Sequence, residues 1–126
     1  MRKNILIVED DPAMRVIIKK TLIESSVPIG EIFEACNGKE GLDMLENYTV
    51  DLMLVDIYMP VMDGLEMLDY ASDHPDYCEI PAIVISTEND ENRIDTIMRK
   101  GLGFIHKPLT QSLLEDYILK FDESNA

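Results

Sequence analysis

Five short apolar runs recur along this chain, each followed by a stretch with apolar residues at helical spacing. That alternation restricts the fold more than any other feature. The runs are Asn4 to Val8 (NILIV), Glu31 to Cys36, Val50 to Val55 (VDLMLV), Ile80 to Ser86 (IPAIVIS) and Gly103 to His106. Near-continuous apolar strands are strands covered on both faces, as in a parallel sheet. Strand then helix, repeated five times, predicts an α/β chain. Its parallel sheet carries helices on both faces, a three-layer (βα)5 sandwich with right-handed crossovers.

The helices carry their own punctuation. Asp11 and Pro12 read as N-cap and first helical residue. Met14, Ile17, Ile18 and Leu22 then recur as an inner face, and this helix reaches about Ser25. Asn37 and Glu40 have capping-box spacing ahead of Leu42 and Leu45. Asp63-Gly64 ends a loop, and Leu65, Leu68 and Ala71 carry a helix to about Asp73. Ile94, Ile97 and Met98 mark a fourth helix, stopped by Gly101. Thr110 caps a last helix with Leu113, Leu114, Tyr117, Ile118 and Phe121 inside, and Leu109 and Leu114 have the spacing of a hydrophobic staple. The polar tail from about Asp122 to Ala126 is expected to fray. No linker or repeat interrupts the pattern, so residues 1–126 are expected to form one domain.

Charge narrows the partners. The chain has 25 Asp plus Glu against 11 Lys plus Arg, a formal charge of -14. Binding to nucleic acid or to an anionic membrane needs the opposite sign. A cation, or a partner with a basic patch, is compatible. No apolar run approaches the ~20 residues that span a bilayer, and the N-terminus enters a short apolar run directly. Cys36 and Cys78 form no CxxC and read as buried thiols in a reducing compartment. The expected location is cytoplasmic.

In open parallel sheets, ligands bind beyond the carboxyl ends of the strands. Those ends hold Glu9, Asp10 and Asp11, then Asp56, Ser86-Thr87 and Lys107-Pro108. A carboxylate at the end of a buried strand is costly unless paired, solvated or bound to metal. Carboxylates converging from two strands repel, and a hard divalent cation such as Mg²⁺ relieves this with oxygen ligands. A carboxylate is also a nucleophile toward phosphorus. The transferred phosphoryl group then needs positive charge and hydrogen bonds at its oxygens. Lys107 and Ser86 are of the right type for both. His106 alternates away from this edge, and His74 falls at a helix end.

The motifs ILIVEDD (Ile5 to Asp11), LMLVDIYMPVMDG (Leu52 to Gly64), IVIST (Ile83 to Thr87) and GFIHKPL (Gly103 to Leu109) occur in this order. Together they resemble the receiver domain of two-component response regulators, over about Asn4 to Phe121. The chain is most similar to stand-alone, chemotaxis-type members. The resemblance implies a flavodoxin-like fold with strand order 2-1-3-4-5. It implies Asp56 as phosphoacceptor and Mg²⁺ as cofactor. Asp10, Asp56 and the Tyr58 backbone carbonyl would be ligands, with Glu9 acting through water. Ser86 and Lys107 would contact the phosphoryl group, and Phe104 would occupy the aromatic switch position beside Ser86. The implied partners are a sensor histidine kinase or histidine phosphotransfer protein, and a downstream target reached through the surface of the fourth helix, fifth strand and fifth helix. Such a domain is a signalling switch, not an enzyme, beyond assisting its own phosphorylation and dephosphorylation.

Three positions stand out against the family pattern. Thr87 stands where a small residue is usual, and Tyr58 and Glu88 occupy positions associated with dephosphorylation rate. Thr87 and Tyr58 are expected to shield an acyl phosphate from water. Val16 lies off the first helix's inner stripe, in a patch suited to a kinase or phosphotransfer partner. A haloacid-dehalogenase-type phosphohydrolase would need a second Asp two positions after the nucleophile, and here that residue is Tyr58. Other readings are a receiver cut from a larger regulator, or a binding module that works without phosphorylation.

Overall fold

The computed structural model describes residues 2–124. Among them, strands β1 (Lys3–Val8), β2 (Ile29–Ala35), β3 (Leu52–Val55), β4 (Ala82–Ser86) and β5 (Gly103–His106) alternate with five helices. The helices are α1 (Pro12–Glu24), α2 (Gly38–Asn47), α3 (Gly64–Asp73), α4 (Glu91–Arg99) and α5 (Gln111–Ser124). All pairings are parallel, in the order β2-β1-β3-β4-β5. This is the flavodoxin-like arrangement expected from the sequence.

The strands alternate their side chains between two cores. Ile5, Ile7, Leu52, Leu54, Ile83, Ile85 and Ile105 pack against α1 and α5 through Ile18, Leu22, Leu114 and Ile118. Leu6, Val8, Met53, Val55 and Val84 pack on the other face against α2, α3 and α4, through Leu45, Met67, Leu68 and Ile97. With both faces covered, the central strands have no polar side, which is why each reads as an unbroken apolar run.

Each N-cap satisfies backbone donors that the first helical turn leaves open. Asp11 accepts from Ala13 N, Asn37 and Asp63 from the N–H groups of Glu40 and Glu66, Asp90 from Asn92 and Arg93, and the Thr110 hydroxyl from Leu113 N. Glu40 returns to the backbone of Cys36 at 3.1 Å, one residue before the cap.

Several expectations need correcting. Ile17 and Met98 are each 49% exposed and Leu113 is 42% exposed, so none faces the core. Each adjoins a buried apolar neighbour (Ile18, Ile97, Leu114), and successive helical residues point about 100° apart, so only one of each pair meets the sheet. Cys36 is only partly buried and Cys78 is exposed. β2 begins at Ile29, two residues ahead of the run expected from Glu31. β3 begins at Leu52, although Val50 ahead of it is buried. α5 runs on to Ser124, and the last two residues of the expected tail lie outside the described residues.

The connection after β3 is tightly held. The Gly64 N–H donates to Ile57 O at 3.0 Å, and a Cβ at Gly64 would overlap the carbonyl oxygen of Asp56. Gly38 donates to Met62 O at 2.9 Å from the other side. Between these anchors, Met62 N–H bonds Pro60 O at 2.8 Å across Val61, whose φ is 68°. A β-branched residue rarely adopts that conformation, and it persists where the surroundings fix it.

Candidate functional site

Register brings the carboxylates together. Val8 pairs with Val55 and Val55 with Val84, so the next residues, Glu9 and Asp56, leave the sheet side by side. Backbone bonds extend the ladder past its formal end, from Asp56 N to Val8 O at 2.9 Å and from Glu9 N to Ala35 O at 3.0 Å. Glu9, Asp10 and Asp56 each place a carboxylate oxygen within 4.8 Å of the others. Glu9 is 1% exposed and Asp56 8%, while Asp10 is open to solvent.

Lys107 closes this group. Its Nζ donates to Glu9 Oε1 at 3.0 Å and stands 3.8 Å from Asp56 Oδ2. Its backbone N–H donates to Ser86 O at 2.8 Å, which ties the end of β5 to the end of β4. One ammonium cannot balance two buried carboxylates. Glu9 Oε2 is buried without a hydrogen-bond donor. Burial, reinforced by the facing Asp56, pushes the Glu9 carboxyl up to about 7 against the partial relief from Lys107. A buried oxygen lacking a donor, beside two other carboxylates, suits a divalent cation with oxygen ligands. Mg²⁺ therefore fits the residues present.

Ser86 is fully buried at the end of β4, and its hydroxyl oxygen accepts from Glu88 N–H at 3.1 Å. Thr87 is exposed beside it. Phe104 lies lower on β5, paired with Val84, and packs half-buried on the α2–α3–α4 side. His106 points away and bonds Asn89 Oδ1 at 2.8 Å, and His74 caps the end of α3. Val16 is 64% exposed on α1.

Tyr58 and Glu88, from different loops, are joined directly. The Tyr58 hydroxyl donates to Glu88 Oε1 at 2.8 Å. That bond holds the phenol above its ordinary pKa and the Glu88 carboxyl below its own. Arg93 of α4 completes the link, with Nε 3.1 Å from Glu88 Oε1 and its guanidinium carbon 5.6 Å from the Tyr58 ring centroid. Sequence reading missed Arg93. Its one signal was a cation in the first turn of α4, where the helix dipole favours the opposite charge. Arg15 was missed as well; it donates to Glu9 O at 2.7 Å and fixes the backbone at the end of β1.

A family description of the response regulator receiver domain matches residues 5–119. The chain belongs to the response regulator receiver domain family. Receiver domains are signalling modules, not enzymes of the usual kind. This one is 32% identical to a chemotaxis protein CheY homolog of Campylobacter jejuni, covering 90% of this chain and 87% of that protein. It is also 32% identical to chemotaxis protein CheY1 of Helicobacter pylori, over 90% and 91% of the two chains. A CheY-like receiver domain protein from Methanospirillum hungatei superposes with a TM-score of 0.81 at 30% identity, covering 99% of this receiver and 98% of that chain. A phosphorylated cyanobacterial phytochrome response regulator, RcpA, gives 0.77 at 28% identity, over 98% and 93%. No helix among the described residues is long and apolar enough to cross a membrane.

Proposed function

We propose that this receiver is a phosphorylation-dependent switch of a two-component phosphorelay, with Asp56 as its phosphoacceptor. The observation that carries the reading is the meeting of Glu9, Asp10 and Asp56 within 4.8 Å of one another, with Lys107 at 3.8 Å from Asp56. A relative of similar fold, RcpA, has been described in phosphorylated form.

The donor is a phosphohistidine of a sensor kinase or a phosphotransfer protein. An Asp56 carboxylate oxygen bonds to phosphorus as the P–N bond breaks, and the bonding pair leaves with the imidazole nitrogen. Asp10, Asp56 and the Tyr58 carbonyl, with Glu9 through water, would hold Mg²⁺, which when bound would supply positive charge at the phosphoryl oxygens. Lys107 supplies the second positive charge once its bond to Glu9 gives way. Ser86, released from Glu88 N–H, turns its hydroxyl toward a phosphoryl oxygen, and Phe104 moves into the space beside it. The surface of α4, β5 and α5 changes with it, as a shift between two populations that a downstream protein reads. Tyr58, Thr87 and Glu88 set the lifetime of the phosphate. The chain acts as one receiver domain in the cytoplasm, where its two free cysteines stay reduced.

The test is incubation with Mg²⁺ and acetyl phosphate or beryllofluoride, followed by intact-mass measurement or NMR. Modification of wild type but not of Asp56→Asn is expected. No modification of wild type, or equal modification of both, rejects the reading in favour of a binding module that works without phosphorylation.

A further inference from the structure

The C-terminal ends of α2 and α3 lie at the amino edge of the sheet, opposite Asp56. Two adjoining concavities of about 510 and 410 Å³ run between them and share Glu46, Asp76 and Tyr77. Both fall in the size range of ligand-binding clefts. The walls are aromatic. Tyr70 is 62% exposed there, and Tyr77 stacks on His74 with centroids 4.1 Å apart.

The charge around these rings has one sign. A helix C-terminus carries partial negative charge that a basic residue in the last turn offsets. Neither α2 nor α3 has one; α2 places Glu46 there and α3 places Asp73. Glu46, Asp73 and Asp76 have no ion-pair partner among the described residues. The Nδ1 of His74 accepts from Asp76 N–H at 3.1 Å, so that nitrogen brings no proton to the groove. Two helix ends and the carboxylates of Glu46 and Asp76 thus border an aromatic cleft with no internal counter-charge.

We propose that this cleft docks a basic segment of a partner protein, with an arginine side chain lying over Tyr70 and Tyr77 and its guanidinium between Glu46 and Asp76. A planar guanidinium stacks on rings and pairs with carboxylates, which matches the lining better than a compact ammonium does. A second copy of this chain is disfavoured by its own charge of -14. The surface is independent of Asp56, so its failure and the failure of the phosphoacceptor reading are separate results.

The experiment titrates the ¹⁵N-labelled full chain with acetyl-Gly-Arg-Gly-amide and with the same peptide carrying citrulline. Shifts confined to residues 42–49 and 70–80 are expected. Binding should weaken roughly tenfold with citrulline and in the E46Q/D76N variant, two exposed pairs being lost. These residues are on the surface, and an unchanged melting curve checks that the variant folds. Shifts scattered over the acidic surface or centred on Asp10 and Asp56, or undiminished binding by the variant, would overturn the proposal. So would equal affinity for tetramethylammonium, which marks a small-cation site. Groove shifts on concentrating the protein alone would reassign the cleft to self-association.

Discussion

Lys107 is bonded to Glu9, at 3.0 Å, and stands off from Asp56, at 3.8 Å. The ammonium is thus engaged by the more buried of the two carboxylates, and Asp56 keeps an oxygen unclaimed. Before any phosphate arrives, the dominant local effect is too much negative charge in too little water.

The first expectation concerns pH in metal-free protein. Glu9 ordinarily titrates near 4.5 and is pushed up to about 7 in the fold. Between these values the folded chain holds a proton that the unfolded chain has lost. Stability from this group is therefore full below about 4.5 and falls as pH rises toward 7. Urea melts at pH 5 and pH 8 should differ by about 1–3 kcal/mol from this source. Glu9→Gln should flatten the slope and stabilise the metal-free protein at pH 8. Identical slopes in the two proteins would show that Glu9 is ionised throughout.

Magnesium should act in the opposite sense. At ten times its dissociation constant, a ligand bound only to the folded state adds about 1.4 kcal/mol. Asp10→Ala should remove most of the resulting rise in melting temperature. If that variant responds to Mg²⁺ as wild type does, the ion sits elsewhere.

Tyr58 and Thr87 are expected to slow hydrolysis of the aspartyl phosphate. Decay after removal of the phosphodonor should be a few-fold faster in Tyr58→Ala and in Thr87→Ala, less than the tenfold that ~1.4 kcal/mol of barrier represents. Arg93→Ala keeps both side chains but frees the Glu88 carboxylate from its ion pair, and should give part of the effect. Unchanged lifetimes in the first two variants would remove any shielding role.

Gly64→Ala should be disproportionately damaging for so small a change. The new methyl meets the Asp56 carbonyl and, at 2.7 Å, Val55 Cγ1. A loss of at least about 2 kcal/mol in chemical denaturation is expected. A near-neutral result would mean that the β3–α3 junction yields.

Much of this was legible in the sequence because the fold is built from local signals that agree. Asp11, Asn37 and Thr110 announced their helices, and a parallel sheet gathers its strand ends on one edge, so Glu9, Asp10, Asp56, Ser86 and Lys107 fell together once the strands were recognised. The errors came from apolar neighbours. Periodicity shows that a helix has an inner side, but not which of Ile17 and Ile18, Ile97 and Met98, or Leu113 and Leu114 occupies it. Nor does a sequence reveal pairings made across loops. The contact of Arg93 with Glu88 and Tyr58 depends on where three separate segments end up, and so does the preference of Lys107 for Glu9.

The loop from Ile57 to Asp63 has a length requirement that surface loops ordinarily lack. Most exposed connections accept insertions, since their ends are indifferent to what lies between. Here Gly64 rests on the Asp56 carbonyl, Gly38 holds Met62, and Asp63 caps α3 through Glu66 N at 2.9 Å. The segment behaves as a spacer of set size, so one residue inserted at exposed Val61 would either displace Asp56 or uncap α3. An equal insertion between His74 and Glu79 would leave the carboxylates where they are. Chain length, as much as side-chain identity, is part of how this receiver aims its aspartate.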